Sequence, residues 1–122
     1  MSELKGKIDF TLFVSANGAN VNGDPLNGNR PRINLDGYGE MSDVCIKRKI
    51  RNRLQDLGQK IFVQSDDRAN DSYTSLKDRA DGCQELKAQM ENKKNANRDA
   101  CAVIACKEWL DVRMFGQVFA FK

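Results

Sequence analysis

Between Asn17 and Gly39 the chain carries five glycines, six asparagines and two prolines, Pro25 and Pro31. Glycine and asparagine tolerate left-handed backbone and proline withholds an amide, so this stretch can continue neither a helix nor a regular central strand. It is longer than a connector needs to be, which points to a functional loop. It runs straight into a helical pattern bearing Lys47, Arg48, Lys49, Arg51 and Arg53. These five cations lie within seven positions with no acid among them, so they repel one another unless an anion or a nearby carboxylate offsets them. Flexible backbone amides followed by clustered cations suit a polyanion, and nucleic acid is the leading partner class.

The rest of the composition supports a local site. At 122 residues and 40% hydrophobic, the chain can form one modest core and is too apolar for wholesale disorder. Residues 1–61 hold ten Lys or Arg against seven Asp or Glu, whereas residues 62–122 balance at ten each, so the whole excess of +3 belongs to the first half. No apolar run is long enough to cross a bilayer and the N-terminus lacks an apolar targeting segment, so the default is a cytoplasmic location with no membrane partner. Cys45, Cys83, Cys101 and Cys106 have no paired short spacing and the chain has no histidine. Buried reduced thiols are the better reading than structural zinc, and no cofactor is expected.

Periodicity places the elements. Ile8, Phe10, Leu12 and Val14 alternate with Asp9, Thr11, Phe13 and Ser15, the period of a strand. Ser42 can cap the next helix, Asp43 suits its first turn and Gly58 can stop it. Within it Ile46, Ile50, Leu54 and Leu57 form a narrow core-facing stripe. Lys47 and Arg51 flank one side of that stripe, Lys49 and Arg53 the other, and Arg48 points away from it, giving a solvated basic collar. Lys60–Gln64 reads as a short strand, followed by a polar excursion through Asp66, Asp67, Asn70 and Asp71. Leu76, Ala80, Cys83, Leu86 and Met90 trace a second amphipathic helix. Residues 91–98 read as a polar linker, Asp99–Leu110 as a largely buried third helix, and Gln117–Phe121 as a strand whose aromatic edge wants a partner. Trp109 reads as core or interface, and Gly116 as a tight turn.

Phosphate-directed cations position a nucleic acid and do not read its bases. Asn22, Asn27 and Asn29 could bond bases, sugars or their own backbone, and the loop amides could form an anion nest. The alternative is a set of turns, with Asn22-Gly23 and Asn27-Gly28 in left-handed conformations. Arg30 and Arg32 bracket Pro31 and enlarge the positive surface. Arg113 could reach an anion or pair with Asp111. Neither a P-loop nor a dinucleotide fingerprint is present. Asp24, Asp36, Glu40 and Asp43 raise a metal-dependent nuclease as an alternative, but they are spread over loop positions. Local roles suit them better, Asp24 on turn amides beside Pro25 and Asp43 at the helix start. A further alternative is a protein–protein module that docks its third helix and last strand on a larger sheet.

Three segments, NGDPLNGNRPRI at 22–33, DVCIKRKIR at 43–51 and DVRMFG at 111–116, resemble the backbone subunit of the type I-C CRISPR Cascade surveillance complex. The resemblance runs in order from about Phe10 to Phe119. It implies an α+β chain with a partial RRM- or ferredoxin-like core elaborated with a thumb, a long Gly/Asn-rich loop and a helical insertion. Residues 1–122 would then be the N-terminal portion of one such domain, completed by a C-terminal half or a companion chain. It implies a non-catalytic role in antiviral defence, with copies of the subunit in a filament along CRISPR guide RNA, target DNA reached through guide pairing, and other Cascade subunits as neighbours. Under it Asn22, Asn29, Arg30 and Arg32 belong to a guide-proximal loop, and Lys47, Arg48, Lys49 and Arg51 contact the guide backbone. Arg53 extends that patch and Arg113 lies in the other shared segment.

Overall fold

Phe62 is the centre of the core. Its ring is fully buried, 4.7 Å from Trp109 and 5.2 Å from Phe119 between centroids. Ala80, Leu86, Ala105 and Val112 close around it, with Leu76, Cys83, Met90, Cys101, Ile104 and Cys106 half-buried at the edge. The computed structural model describes residues 6–91 and 97–119, which divide into two compact units between Ser42 and Asp43.

The first unit is built on loop chemistry. Strands β1 (Gly23–Asp24) and β2 (Arg30–Pro31) pair antiparallel, Gly23 opposite Pro31 and Asp24 opposite Arg30. A single turn of 3-10 helix, Pro25–Asn27, links them, and an isolated bridge joins Ile33 to Gly39. The strand expected over Ile8–Ser15 is not formed: these residues lie outside any ladder, and Ile8, Phe10, Leu12, Phe13 and Val14 are exposed. Alternation is a preference for a pleated, half-buried surface, and it becomes a strand only where a neighbouring edge supplies the hydrogen bonds.

The second unit contains α1 (Asp43–Asp56), α2 (Leu76–Gly82), α3 (Gln84–Glu91), α4 (Arg98–Glu108) and α5 (Leu110–Phe115). From α2 onward each helix packs on the next. The expected second helix is two, broken at Cys83, whose backbone is extended. Its apolar stripe survives the break because Ala80 and Leu86 still reach the core. Gly82, just before the break, lets Tyr73 approach: a Cβ there would stand 2.1 Å from the Tyr73 hydroxyl. Asn97 caps α4 by accepting from the amides of Asp99 and Ala100. The third helix was expected to be largely buried, yet only Ala105 is buried on α4 and Val103 is exposed. Extended backbone at Trp109 ends α4, and α5 follows where a turn was expected. Gly116, at φ 73°, closes α5 through its amide bond to Val112. Of the expected linker at 91–98, residues 92–96 lie outside the described residues. The same holds for 120 and 121 of the expected strand 117–121, and residues 117–119 are irregular.

Lys60–Gln64 is not the short strand its sequence predicts. Its backbone groups are satisfied by side chains instead of a ladder. Asp111 accepts from the amides of Phe62 and Val63, Arg79 donates to the Phe62 carbonyl and Arg48 to the Val63 carbonyl. The Leu110 amide donates to the Lys60 carbonyl. This irregular segment carries Ile61 and Phe62 into burial while two charged clamps hold it. One clamp is Arg79, buried and bidentate to Asp71 at 2.8 Å for both contacts. No helix among the described residues is long and apolar enough to cross a membrane.

The Arg79 guanidinium holds the Asp71 carboxyl below the usual carboxylate range, helped by the Tyr73 amide and Gln64 and opposed by partial burial. A folded-state pKa below the unfolded one stabilises fully above about pH 4 and loses that contribution as pH falls through the folded value. Urea unfolding of wild type and Asp71→Asn should therefore give a stability difference that is constant from about pH 7 to pH 5 and narrows below about pH 4. A difference unchanged down to about pH 2 would contradict the assignment.

Candidate nucleic-acid interface

Helix α1 begins at Asp43, whose carboxylate takes a hydrogen bond from Lys47 Nζ at 3.0 Å. That bond, with the Val44 amide, lowers the Asp43 pKa. The helix stops as its sequence suggests: Gly58 is left-handed at φ 76°, its amide bonds Gln55, and the Gln59 amide bonds Leu54. These are the two bonds of a Schellman cap.

The apolar stripe is only part of the packed side of α1. No α1 residue is fully buried, Ile46, Ile50 and Leu54 are half-buried and Leu57 is exposed. The helix is tied to its unit by polar side chains. Arg48 Nη1 donates to Val63, Arg51 Nε to Asp111 Oδ2 at 2.9 Å, and Gln55 Nε2 to the Arg68 carbonyl at 2.6 Å. At 100° per residue Arg48, Arg51 and Gln55 share one side of the cylinder. The collar is consequently divided. Arg48 and Arg51 hold the fold and Lys47 is engaged with Asp43, whereas Lys49 and Arg53 are exposed and their side chains have no hydrogen bond or ion pair among the described residues. Four residues apart, they lie on one face and repel each other mildly until an anion bridges them.

In the first unit the asparagines mostly serve the loop itself. Asn22 Oδ1 accepts from the Ser42 amide at 2.9 Å and its hydroxyl at 3.0 Å, and the Asn22 carbonyl accepts from Arg32. Asp24 caps the turn beside Pro25 by accepting from Leu26, as its position suggested. Gly28 is left-handed at φ 61° as expected, whereas Gly23 is not, and Asn29 is left-handed at φ 58°. Gly23 instead admits a close contact: a Cβ there would lie 2.0 Å from Asn29 Oδ1. Asn34 Oδ1 collects the amides of Asp36 and Tyr38. The expected anion nest is thus corrected in part, since the Leu26, Asp36, Gly37 and Tyr38 amides are already bonded within the loop. Arg32 is paired with Glu40 at 2.8 Å, and the exposed Arg30 side chain has no partner among the described residues.

Asp24, Glu40 and Asp43 answer these local partners, and no group of three His, Cys, Asp or Glu among the described residues is placed to hold a metal ion. Arg113 is exposed on α5, while the Asp111 carboxylate is occupied by Arg51 and the amides of Phe62 and Val63. Two contributors escaped sequence reading: Asp111 as the partner of Arg51, and Phe115, whose ring lies beneath Arg51 at 5.1 Å and Lys47 at 5.9 Å. No local spacing signals a pair 60 residues apart.

Exposed cations on a helix fixed through its other charges fit a protein that meets a polyanion. The chain belongs to the family of CRISPR-associated protein Cas7, whose family model matches residues 6–122. A curated relative of that name from Haloferax volcanii is 42% identical over 67 residues, covering 53% of this chain and 20% of the relative. The chain thus matches about a fifth of that relative's length. No solved structure matches the chain.

The Asn22 bonds make one local test. Asn22→Ala removes the acceptor of both Ser42 bonds, and the Ser42 amide should exchange its hydrogen about tenfold faster, as loss of roughly 1–1.5 kcal/mol of local protection implies. Unchanged exchange at Ser42 would show that the loop root is held by something else.

Proposed function

We propose that this chain is a guide-RNA-binding portion of the backbone subunit of a type I-C CRISPR surveillance complex, with a structural rather than catalytic role. The observation that carries the reading is the pair Lys49 and Arg53 on α1, whose side chains have no partner among the described residues, in a chain of the Cas7 family. Two like charges held at one helix face, with no carboxylate among the described residues to offset them, gain most from a phosphate backbone. Arg30 adds an exposed cation in the other unit. Lys47, already shared between Asp43 and the Phe115 ring, can turn to a phosphate at modest cost because its pair is exposed. Asn29 and Arg32 belong to the same guide-proximal loop in this reading, with Asn22 holding its root. Arg113 is a further candidate contact. RNA over DNA rests on the family, since phosphate-directed cations barely distinguish the two.

The ordered resemblance of 22–33, 43–51 and 111–116 supports the I-C subtype and an N-terminal position in the subunit. An RRM- or ferredoxin-like core, a filament of copies along the guide, target DNA reached through guide pairing, other Cascade subunits as neighbours and a cytoplasmic location complete the proposal.

Purification from cells expressing a repeat–spacer RNA, followed by sequencing of what is retained, tests it. The wild-type chain should carry that RNA, and the Lys49→Gln/Arg53→Gln variant should lose most of it at moderate salt without unfolding. Retention of random cellular RNA, unaffected by the double substitution, would contradict the proposal. A protein partner that survives nuclease and high salt would favour a docking module. Divalent-ion-dependent cleavage lost in Asp24→Ala would favour a nuclease.

A further inference from the structure

The two segments 43–51 and 111–116 meet in space. Arg51 Nε donates to Asp111 Oδ2 at 2.9 Å, and its guanidinium stands 5.1 Å from the centroid of the Phe115 ring. The Arg51 side chain retains 13% exposure and the Asp111 carboxylate none. Asp111 Oδ1 also accepts from the Phe62 amide at 2.7 Å and Oδ2 from the Val63 amide at 3.1 Å, which ties the carboxylate to the core segment. One helical turn back, Lys47 Nζ lies over the same ring at 5.9 Å. At 100° per residue Lys47 and Arg51 share a face, and Lys49 and Arg53 lie about 160° around the helix from Arg51. The helix is therefore gripped on one side by a buried carboxylate and an aromatic face, with Lys49 and Arg53, which have no side-chain partner among the described residues, on the other.

We propose that Arg51, Asp111 and Phe115 form a positioning clamp that fixes the rotation of α1, presenting Lys49 and Arg53 to the RNA backbone while Arg51 itself stays off it. This deepens the guide-RNA reading and rests on it. Arg51 is then a positioning residue acting through Asp111. With its Nε on a buried carboxylate and only 13% of its side chain exposed, Arg51 offers little surface to a phosphate, and a phosphate that drew it away would leave that carboxylate uncompensated, among the costliest local defects. The Phe115 ring adds attraction for the same cation without altering the charge of the surface.

Salt dependence separates the two roles, because each phosphate contact on single-stranded RNA contributes about 0.7 to the slope of log affinity against log salt. Binding of a fluorescein-labelled repeat–spacer RNA to the full chain is titrated across salt for wild type, Lys49→Gln, Arg53→Gln, Arg51→Gln and Phe115→Leu. Lys49→Gln and Arg53→Gln should each flatten the slope by about 0.7. Arg51→Gln and Phe115→Leu should weaken binding severalfold at fixed salt and keep the wild-type slope. An Arg51→Gln slope reduced by the same increment as Lys49→Gln, or Phe115→Leu binding equal to wild type, overturns the clamp alone. Wild-type binding insensitive to salt, or to both Lys49→Gln and Arg53→Gln, overturns the RNA reading and the clamp with it. Should Arg51→Gln fail to fold by circular dichroism, Phe115→Leu, which changes no charge, decides.

Discussion

Asp111 is a carboxylate with no solvent exposure in a small core, and its environment organises the second unit. Burying such a group costs several kcal/mol unless its lone pairs are bonded and its charge is met. Here Arg51 meets the charge and the amides of Phe62 and Val63 supply two further bonds. Hydrogen bonds to a charged group contribute about 1.5–3 kcal/mol each, so the three together can offset the desolvation. The arrangement joins α1, the irregular 60–64 segment and α5 at one atom group. Loss of either charge would leave the other stranded, which makes the contact a constraint on geometry more than a source of net stability.

That constraint explains why the basic collar is not uniform. A helix without a fully buried residue needs some other anchor, and α1 uses Arg48, Arg51 and Gln55. Cations engaged with carbonyls and a buried carboxylate are poorly placed to neutralise phosphates. Lys49 and Arg53, which touch no acid among the described residues, remain suited to that task. On the proposed reading, the same run of sequence supplies both the fixing of the helix and an attraction for a polyanion. Membership of the Cas7 family gives that attraction a biological setting.

Much of this was legible in residue order because it depends on near neighbours. The start of α1 at Asp43, its stop at Gly58, the Asp24 cap beside Pro25 and the Ala80–Leu86 core positions all follow from interactions a few residues apart. What was not legible depends on distant partners. The Ile8–Val14 alternation promised a strand, but pairing requires an edge elsewhere. Lys60–Gln64 resembled a strand because it must be buried, yet its amides found Asp111 instead of a ladder. The apolar stripe of α1 is half-buried over Ile46, Ile50 and Leu54, but nothing near it in sequence signals that Arg51 also anchors the helix, through a carboxylate 60 residues away. Collar residues with identical chemistry could not be sorted into anchors and contacts until those partners were in place.

The central claim is that α1 meets RNA through Lys49 and Arg53 while Arg51 remains on Asp111. A structure of the full chain bound to a repeat–spacer RNA tests it most directly. The account predicts phosphate oxygens within about 3 Å of Lys49 Nζ and the Arg53 guanidinium, with the Arg51–Asp111 bond intact. Phosphate bound to Arg51 with Asp111 released, or RNA lying on a surface that excludes Lys49 and Arg53, would contradict it.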